Sequence, residues 1–432
     1  MTIETTANSP SPIAADADPV RPLRVLVSGY RSHPHVGGQG VYIRELTRAL
    51  AGLGHTVSVI SGPPYPELDD GIELIELPSL DLFEEDNAFL AFRPSHLTNA
   101  ADLSEWLAHN SGAFGELYAF GLRLEKFLRA HAGDFDVLHD NQTLASPFVR
   151  INALLPVITT IHHPISIDLE YAVAAGESWW KRLLTRRWYS FVKMQAKTSR
   201  ALPRMLAVSA AARDSHAEHY GTPTERVRVA FNGIEHSIFH PDETVERETG
   251  LIVTTASADA PIKGLDVLLD ALARVAAARP NVKLRIVGNL RKGPAKRALE
   301  KHGLTSRVID GGGLSREEVA DLYRRAHVVA CPARFEGFGF PAAEAMACGA
   351  AVVSSDGGAL PEVVGDCGLV SPVGDAGAMA ANLARLLDDP QLARQMGEKA
   401  TARAQDVFQW KHHALAASRL YTEALAERGA RS

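Results

Sequence analysis

The sequence alternates short apolar, β-branched runs with longer amphipathic stretches, and this alternation constrains the fold more than any other feature. The pattern is typical of parallel strands that are covered by helices on both faces. It occurs in two series, separated by a polar stretch at Pro241–Thr249. The runs are Leu23–Ser28, Thr56–Ile60, Ile72–Leu77, Asp136–His139, Val157–Ile161, Met205–Val208 and Val227–Phe231, then Leu251–Thr255, Val282–Val287, Val308–Ile309, His327–Ala330 and Ala351–Ser354. We therefore predict two doubly wound α/β units.

The length and the break in this pattern predict the domain organisation. A chain of 432 residues is too long for one hydrophobic core, which favours two or three domains. We place a disordered leader at 1–21, a first domain at 22–235, a second domain at 236–408 and a final helix within 409–432. The leader has neither the basic start nor the apolar segment of a secretory signal. The final helix follows the second sheet, and the sequence leaves open on which domain it packs.

Charge and cysteine content exclude several classes of protein. The net charge of −6 argues against a nucleic-acid binder that works by bulk electrostatics. Three cysteines without zinc-site spacing predict a reducing compartment and no structural metal. No apolar run approaches the roughly 20 residues that a membrane-spanning helix needs. We expect a cytoplasmic protein.

Ligands of open α/β sheets bind at the carboxyl ends of the strands, so the loops that follow strands carry the candidate site. The first of these loops opens a helix and contains Gly37, Gly38 and Gly40. Their backbone N–H groups can approach an anion closely at the helix terminus. The loop is neither a dinucleotide GxGxxG turn nor a P-loop, and a plain glycine-rich turn is the alternative.

Two further loops each offer one polar side chain. His162 ends a strand, and Pro164 stops that strand from continuing, so we predict that the imidazole faces the ligand; a structural histidine is the alternative. Lys263 and Gly264 precede a helix in the second domain, where an ammonium group can lie beside a diphosphate. The alternative for Lys263 is a solvated turn.

The segment Arg334–Gly349 is the most informative in the chain. It packs Glu336, Glu344 and three glycines into one strand-to-helix loop. Pro341 suits the first helical turn, from which we expect Glu344 to project. Carboxylates in this arrangement can accept hydrogen bonds from the vicinal diols of sugars and ribose. The alternative makes Glu336 a loop cap and Glu344 a helix-dipole partner.

Taken in order, these residues resemble the retaining GT-B glycosyltransferases of family 4. The resemblance covers nearly the whole chain after the leader, and the ordered set is specific although each part alone is common. The parts are the GGxG of Gly37–Gly40, Leu53-Gly54-His55-Thr56-Val57, Thr160-x-His162, Val208-Ser209, Asn232-Gly233-Ile234 with Phe239 and Pro241, Lys263-Gly264, Glu336 to Glu344, and Gly358 with Pro361-Glu362.

The resemblance implies two Rossmann-like domains facing across a cleft, with a nucleotide-sugar donor held mainly by the second domain. It implies a terminal helix that returns to the first domain. By the same resemblance, Lys263 binds the donor diphosphate, Glu336 contacts the transferred sugar and Glu344 contacts the ribose. His162 lies at the sugar, beside the reacting centre. The other donor contacts that the resemblance implies are the amides of Gly337, Phe338, Gly339 and Phe340, and the loop of Gly37, Gly38 and Gly40 at the diphosphate and the acceptor.

One position departs from the family pattern. The family usually has an arginine about five residues before the lysine, as a second cation on the diphosphate, and Ala258 stands there in this chain. Arg291, Lys292 and Arg334 are the candidates for the missing cation.

Together, the residues and the resemblance predict a retaining transferase that moves a hexose from a nucleotide-diphosphate sugar to an acceptor hydroxyl. We expect no cofactor and no metal, because Lys263 and backbone amides can stabilise the leaving diphosphate. Asp134-Phe135-Asp136 matches a DxD pattern but stands before a strand, where a cap is expected. No carboxylate suits double displacement, which favours a front-face route. The alternatives are a nucleotide-sugar 2-epimerase or hydrolase, and a non-catalytic sugar-binding protein.

The acceptor is a sugar, a lipid or a small molecule, and one segment bears on the choice. Seven basic and no acidic residues occur from Trp179 to Arg200. If this segment is one helix, its cations lie opposite its apolar face, which favours a core-packed helix with a solvated basic face. Attachment to the inner membrane face through this helix is the alternative. The apolar positions are Trp180, Leu183, Leu184, Trp188, Phe191 and Met194, and the opposite basic positions are Arg182, Arg186, Lys193 and Lys197.

Overall fold

The chain folds into two α/β units, each built on one parallel sheet, as predicted. The structure is a computed structural model that describes residues 20–34, 38–83, 87–89, 93–256, 259–290 and 293–430. Nearly all of the predicted leader, 1–21, lies outside the described residues. Within them, the N-terminal unit comprises 20–208, 212–230 and 410–430, and the C-terminal unit comprises 209–211 and 231–409.

The sheet of the N-terminal unit has the order β3-β2-β1-β4-β5-β6-β7, with every paired strand parallel. Each of the seven predicted runs forms a strand. The central strands are buried on both faces, which explains their continuous apolar sequence. The strands are β1 Arg24–Gly29, β2 Thr56–Ser61, β3 Glu73–Glu76, β4 Val137–Asn141, β5 Val157–Ile161, β6 Met205–Ala207 and β7 Val227–Val229.

The sheet of the C-terminal unit has the order β10-β9-β8-β11-β12-β13 and is also parallel. The five predicted strands are present, and the sequence pattern missed β13. This strand is short, lies at the sheet edge and is partly exposed, so its apolar signal is weak. The strands are β8 Leu251–Thr255, β9 Lys283–Val287, β10 Val308–Gly311, β11 Val328–Cys331, β12 Ala351–Ser355 and β13 Leu369–Ser371.

Helices occupy most of the connections between the strands, because parallel neighbours need a long crossover. In the C-terminal unit, the helix that follows Gly264 buries Leu265, Leu268 and Leu272 in one hydrophobic cluster with residues of the sheet. The helices are α1 Gln39–Gly52, α2 Ala100–Asn110, α3 Glu116–His131, α4 Pro147–Leu154, α5 Ser166–Ala174, α6 Trp179–Trp188, α7 Val192–Ala201, α8 Ala210–Tyr220, α9 Leu265–Ala278, α10 Pro294–Lys301, α11 Arg316–Arg325, α12 Phe340–Ala347, α13 Leu360–Val364, α14 Ala376–Asp388, α15 Pro390–Val407 and α16 Trp410–Gly429.

The basic segment differs from the prediction. It is not one helix, because a 3₁₀ turn at Tyr189–Phe191 separates α6 from α7. No residue of α6 is buried, so the interpretation of this part as a core-packed helix is wrong. The prediction treated the segment as one continuous helix, whereas the buried and exposed faces of α6 and α7 are set independently. No helix in the described part of the chain has both the length and the hydropathy to span a bilayer.

The last helix, α16, packs within the N-terminal unit, on α1 and β5. Buried hydrogen bonds fasten it there: Tyr421 Oη is 2.5 Å from His139 Nδ1, and His413 Nε2 is 2.9 Å from Tyr42 Oη. Thr160 joins the two pairs, because its hydroxyl contacts both His139 Nε2 and Tyr42 Oη at 2.7 Å. Burial lowers the pKa of His139 to about 3, so its imidazole is neutral.

Replacing His139 by Gln should destabilise the protein by an amount that depends on pH. Above about pH 6.5 the wild type should be clearly more stable, because the variant lacks the buried hydrogen bonds of His139. As the pH falls from 6.5 towards 3, the unfolded wild type takes up a proton that the folded His139 refuses. The difference in the free energy of unfolding between the wild type and the variant should therefore decrease by up to about 1.4 kcal/mol per pH unit.

Urea unfolding of both proteins across this pH range measures the gap. Leu128→Ala, which removes a buried apolar side chain and no titratable group, is the control and should keep a constant offset from the wild type. A gap between His139→Gln and the wild type that does not change with pH contradicts the neutral buried imidazole.

Candidate functional site

The two candidate loops of the C-terminal unit begin on neighbouring strands. β8 pairs directly with β11, and the strand order reverses between these two strands. The Lys263 loop follows β8 and the Glu336 loop follows β11. Because parallel strands end at the same edge of the sheet, the two loops meet at the topological switch point, where ligands of such sheets bind.

Lys263 and Glu336 form an ion pair at this edge. Lys263 Nζ donates to Glu336 Oε1 at 2.7 Å, and both side chains are partly buried. The thiol of Cys331 lines the same pocket as both side chains. Burial, together with the charges of Glu336 and Glu344, raises the pKa of this thiol to about 12, and Lys263 opposes the rise. The structure therefore brings two of the three predicted charged residues of this unit, Lys263 and Glu336, together at one pocket.

Arg334 holds the Lys263 turn in place. Its Nη1 and Nη2 donate to the two carboxylate oxygens of Asp266 at 2.9 and 2.7 Å, and its backbone N–H donates to the carbonyl of Ile262 at 2.7 Å. This bidentate pair fastens the guanidinium to the turn, and the role of Arg334 as the second diphosphate cation stays a prediction. The other candidates, Arg291 and Lys292, lie outside the described residues, as does Ala258.

Two glycines permit the close approach of the loops. Gly264 has a φ of +64°, and a Cβ there would lie 2.0 Å from the carbonyl oxygen of Pro332. Gly358 has a φ of +62°, and a Cβ there would lie 2.3 Å from the carbonyl oxygen of Glu336. A side chain at either position would therefore push a charged residue of the site from its place.

Gly264→Ala should destabilise the protein by more than the cost of its backbone conformation. Gly374→Ala is the matched control, because Gly374 has a φ of +80° and no heavy atom of another segment lies within 4 Å of the place that a methyl group would take. The control should cost about 1 kcal/mol, and Gly264→Ala at least about 2 kcal/mol, since it adds a clash with backbone. Chemical unfolding measures both, and equal costs contradict the tight contact between the loops.

Glu344 lies in a dense environment on α12. The helix begins at Phe340, with Gly339 as its N-cap and Pro341 in the first turn as predicted. Glu344 itself stands in the second turn, and the expected first-turn position is wrong because the helix begins just after Gly339. Burial raises the pKa of Glu344 to about 7, and the positive charge of Arg316 opposes this rise.

The raised pKa predicts pH-dependent donor binding. A carboxylate accepts hydrogen bonds from both hydroxyls of a ribose diol, whereas a carboxylic acid must donate at one oxygen. If Glu344 holds the ribose, the affinity for a nucleotide sugar should fall as the pH drops below about 7. Titration calorimetry between about pH 8 and pH 5.5 measures this change.

Glu344→Gln is the control for this titration. Its donor affinity should be weaker than that of the wild type at high pH and should not change between these pH values. A wild-type affinity that stays constant through pH 7 contradicts the ribose role of Glu344.

The four residues whose amides were predicted to bind the donor, Gly337, Phe338, Gly339 and Phe340, differ in their surroundings. Gly339 lines the pocket at the ion pair, whereas the Phe338 ring is buried against Phe340, 5.0 Å away between centroids. The carbonyl of Gly337 accepts a hydrogen bond from Ser209 Oγ at 2.6 Å. The pocket is lined by Thr255, Lys263, Cys331, Pro332, Ala333, Glu336, Gly339, Pro341, Ala342 and Leu360.

His162 of the N-terminal unit is held by the loop after β4. Its Nε2 lies 2.7 Å from Asn141 Oδ1, and its backbone N–H donates to Gln142 Oε1. Its ring meets the Tyr42 ring edge-on at 4.8 Å between centroids. Burial lowers the pKa of His162 to about 3, with smaller contributions from His163 and His413, so the imidazole is neutral.

The glycine loop is described in part. Gly38 is the N-cap of α1 with a φ of +77°, and Gly40 approaches the carbonyl of His33 too closely for any Cβ. Gly37 lies outside the described residues. The role of these glycines at a diphosphate stays a prediction.

Sequence reasoning missed several residues that shape the site. Asn141 and Gln142 hold His162, and Gln142 adopts a φ of +50° to do so. Their position directly after a buried strand was the available signal. Tyr323 and Thr255, joined by a 2.8 Å hydrogen bond, and Arg316 near Glu344 had no such signal, because their positions depend on packing.

The DxD pattern has a structural role. Asp136 accepts hydrogen bonds from the backbone N–H of Arg24 at 2.7 Å and from its Nη2 at 2.8 Å. These contacts fasten the start of β4 to the start of β1, and Asp136 therefore serves as the strand-start cap that was predicted.

Comparison with known proteins identifies the family. The profile of Glycosyltransferase Family 4 matches residues 36–238, and that of Glycosyl transferases group 1 matches residues 238–403. An MMP alpha-(1->4)-mannosyltransferase of Mycolicibacterium hassiacum is 42% identical over 411 residues, which cover 94% of this chain and 99% of that protein. The chain belongs to the group 1 glycosyltransferases of family 4.

Solved structures show the same fold. This glycosyltransferase resembles a sucrose-phosphate synthase of Thermosynechococcus elongatus, with a TM-score of 0.70 and 22% identity over 94% of this chain and 100% of that chain. It also resembles the Anabaena protein HepE, solved in complex with UDP-glucose, with a TM-score of 0.66 and 15% identity over 94% of this chain and 100% of that chain. Both likenesses support the GT-B class of fold.

Proposed function

We propose that this glycosyltransferase moves a mannosyl residue from a nucleotide-diphosphate mannose to the 4-hydroxyl of a mannoside, with retention of configuration and without a metal. The relative at 42% identity, named as an alpha-(1->4)-mannosyltransferase, supports the sugar and the linkage. The observation that carries the proposal is the ion pair of Lys263 and Glu336 at the topological switch point of the sheet. Neither that relative nor the two similar structures is named as an epimerase or a hydrolase.

The ion pair provides both halves of a donor site. Without a ligand, the ammonium of Lys263 and the carboxylate of Glu336 neutralise each other at 2.7 Å. A nucleotide sugar replaces both partners, because its diphosphate takes the ammonium and its sugar hydroxyls donate to the carboxylate. Each such charge-assisted hydrogen bond contributes about 1.5–3 kcal/mol, which offsets the separation of the pair.

The chemistry then follows from charge. As the bond between the anomeric carbon and the diphosphate oxygen breaks, negative charge grows on the phosphate and Lys263 stabilises it. The acceptor oxygen forms its bond to the same face of the anomeric carbon. Its proton passes to the departing phosphate oxygen, so no protein base is needed. The neutral imidazole of His162 suits a hydrogen-bonding role at the sugar rather than a charged acid.

The donor and the stereochemistry can be tested together. The protein is incubated with GDP-, UDP- and ADP-linked hexoses and a mannoside acceptor, and the product is examined by NMR. We expect transfer from a mannose donor to give an α-(1→4) linkage, with turnover unchanged by EDTA. A β-linked product contradicts retention, and loss of turnover in EDTA contradicts the metal-free mechanism.

Glu336→Gln should separate turnover from donor binding. The amide keeps the size of the side chain but loses the charge that faces the sugar, so kcat should fall by about 10²–10³. Donor affinity should stay equal or increase, because Lys263 loses a competing partner. Steady-state kinetics and donor calorimetry measure the two quantities.

Glu300→Gln, at an exposed glutamate of α10, is the matched control and should leave kcat and donor affinity unchanged. A Glu336→Gln variant with wild-type turnover overturns the role of Glu336 at the sugar.

A further inference from the structure

Helix α6 of the N-terminal unit presents an exposed apolar strip, which we define as Trp179, Trp180, Leu183 and Leu184. The exposed fractions are 76%, 49%, 57% and 55%, in that order. Isolated apolar residues on a surface are ordinary, but two tryptophans and two leucines on one short helix form a contiguous patch. None of the proposed catalytic or donor-binding residues belongs to this helix, so its exposure is not explained by the transfer reaction.

The end of α6 at Trp188 changes the distribution of charge around the strip. At about 100° per residue, the strip and Trp188 occupy about half of the circumference of the helix. Lys181 and Arg186 then lie about 20° beyond the two edges of that half, and Arg182 lies on the opposite side of the helix. Arg187 falls within the half, where its Nη2 donates to Ser111 Oγ. Cations that flank an apolar face are typical of a helix lying in a membrane interface. The arrangement differs from the predicted one because the exposed Trp179 extends the apolar half as far as Arg186.

The strip is held rigidly by the C-terminal end of α6. The ring of Trp188 packs against Phe83 and Phe114, with centroids 5.7 and 5.4 Å away. The N–H of Phe114 donates to the carbonyl of Trp188 at 3.2 Å, and Arg187 Nη2 donates to Ser111 Oγ at 2.6 Å. These contacts hold α6 in place before a partner binds, which lowers the conformational entropy lost on binding.

Charge distinguishes between the possible occupants. The chain carries a net charge of −6, yet α6 carries four cations and no acidic residue. Glu177, just before the helix, pairs with Lys181 and leaves the three arginines in excess. A second copy docked on the same face would set these arginines against their own equivalents. An anionic lipid surface complements them, and tryptophan indoles favour the depth of the headgroups.

We propose that α6 docks this protein on a membrane surface rich in anionic lipids, with the apolar strip at the level of the headgroups and Arg186, at the edge of the strip, among the lipid phosphates. The proposal concerns a surface distinct from the donor site and does not depend on the sugar that is transferred.

Cosedimentation of the full-length protein with vesicles tests the proposal. The vesicles are phosphatidylcholine alone or phosphatidylcholine with phosphatidylglycerol, at low and high salt. We expect binding to the anionic vesicles and its loss at high salt. Arg186→Gln should weaken binding about fivefold, the contribution of one cation near the lipid surface. Trp179→Ala with Trp180→Ala should weaken vesicle binding at least tenfold, because the variant loses the apolar area of two indole rings.

A matched control and a depth measurement make the test specific. Ile309→Ala removes an apolar residue of similar exposure, 52%, from β10 of the C-terminal unit and should leave binding unchanged. Tryptophan fluorescence of the wild type should be quenched by lipids brominated on their acyl chains, and the tryptophan variant should lose most of this quenching.

Three outcomes overturn the proposal. One is the absence of binding to anionic vesicles at low salt, and another is binding that both α6 variants retain. The third is a concentration-dependent dimer, without lipid, that the tryptophan variant abolishes, which would assign the strip to a second copy. Transfer to a soluble acceptor should be unchanged in both variants, so a failure of this proposal is distinguishable from a failure of the proposed function.

Discussion

The ion pair of Lys263 with Glu336 depends on the pairing of two parallel strands. The residues are 73 positions apart in the chain and meet because β8 and β11 are neighbours at the switch point of the sheet. The pair is partly buried, so each charge would be costly without the other. A ligand that carries an anion and hydrogen-bond donors satisfies both, and this makes the same two side chains suitable for binding a nucleotide sugar.

The surroundings of the pair leave it little freedom. Arg334 fastens the Lys263 turn to Asp266, while Gly264 and Gly358 allow backbone to approach backbone where any Cβ would collide. Charges fixed in this way need little reorganisation when a transition state forms, which is the main source of electrostatic catalysis. The close packing that holds the loops in place is therefore also what suits them to the proposed chemistry.

The N-terminal unit is completed by the far end of the chain. Helix α16 supplies His413 and Tyr421 to a buried polar network with Tyr42, Thr160 and His139. Tyr42 also contacts the ring of His162, so the same network supports the residue predicted at the sugar. A buried network of this kind is favourable only when every member is paired, which makes the unit sensitive to substitutions in its last helix.

The sequence by itself determined the strands and the loops that follow them, because burial on both faces requires continuous apolar runs and a strand must end in residues that turn. Twelve strands, the two glutamates and Lys263 were predicted on that local basis, and β13 escaped because an exposed edge needs little apolar character. The tertiary structure alone decided which groups face one another. Arg334 is paired with Asp266, Asn141 and Gln142 hold His162, and α6 ends at Trp188 with its apolar residues exposed. Such pairings and exposures depend on contacts between distant segments, which local periodicity does not encode.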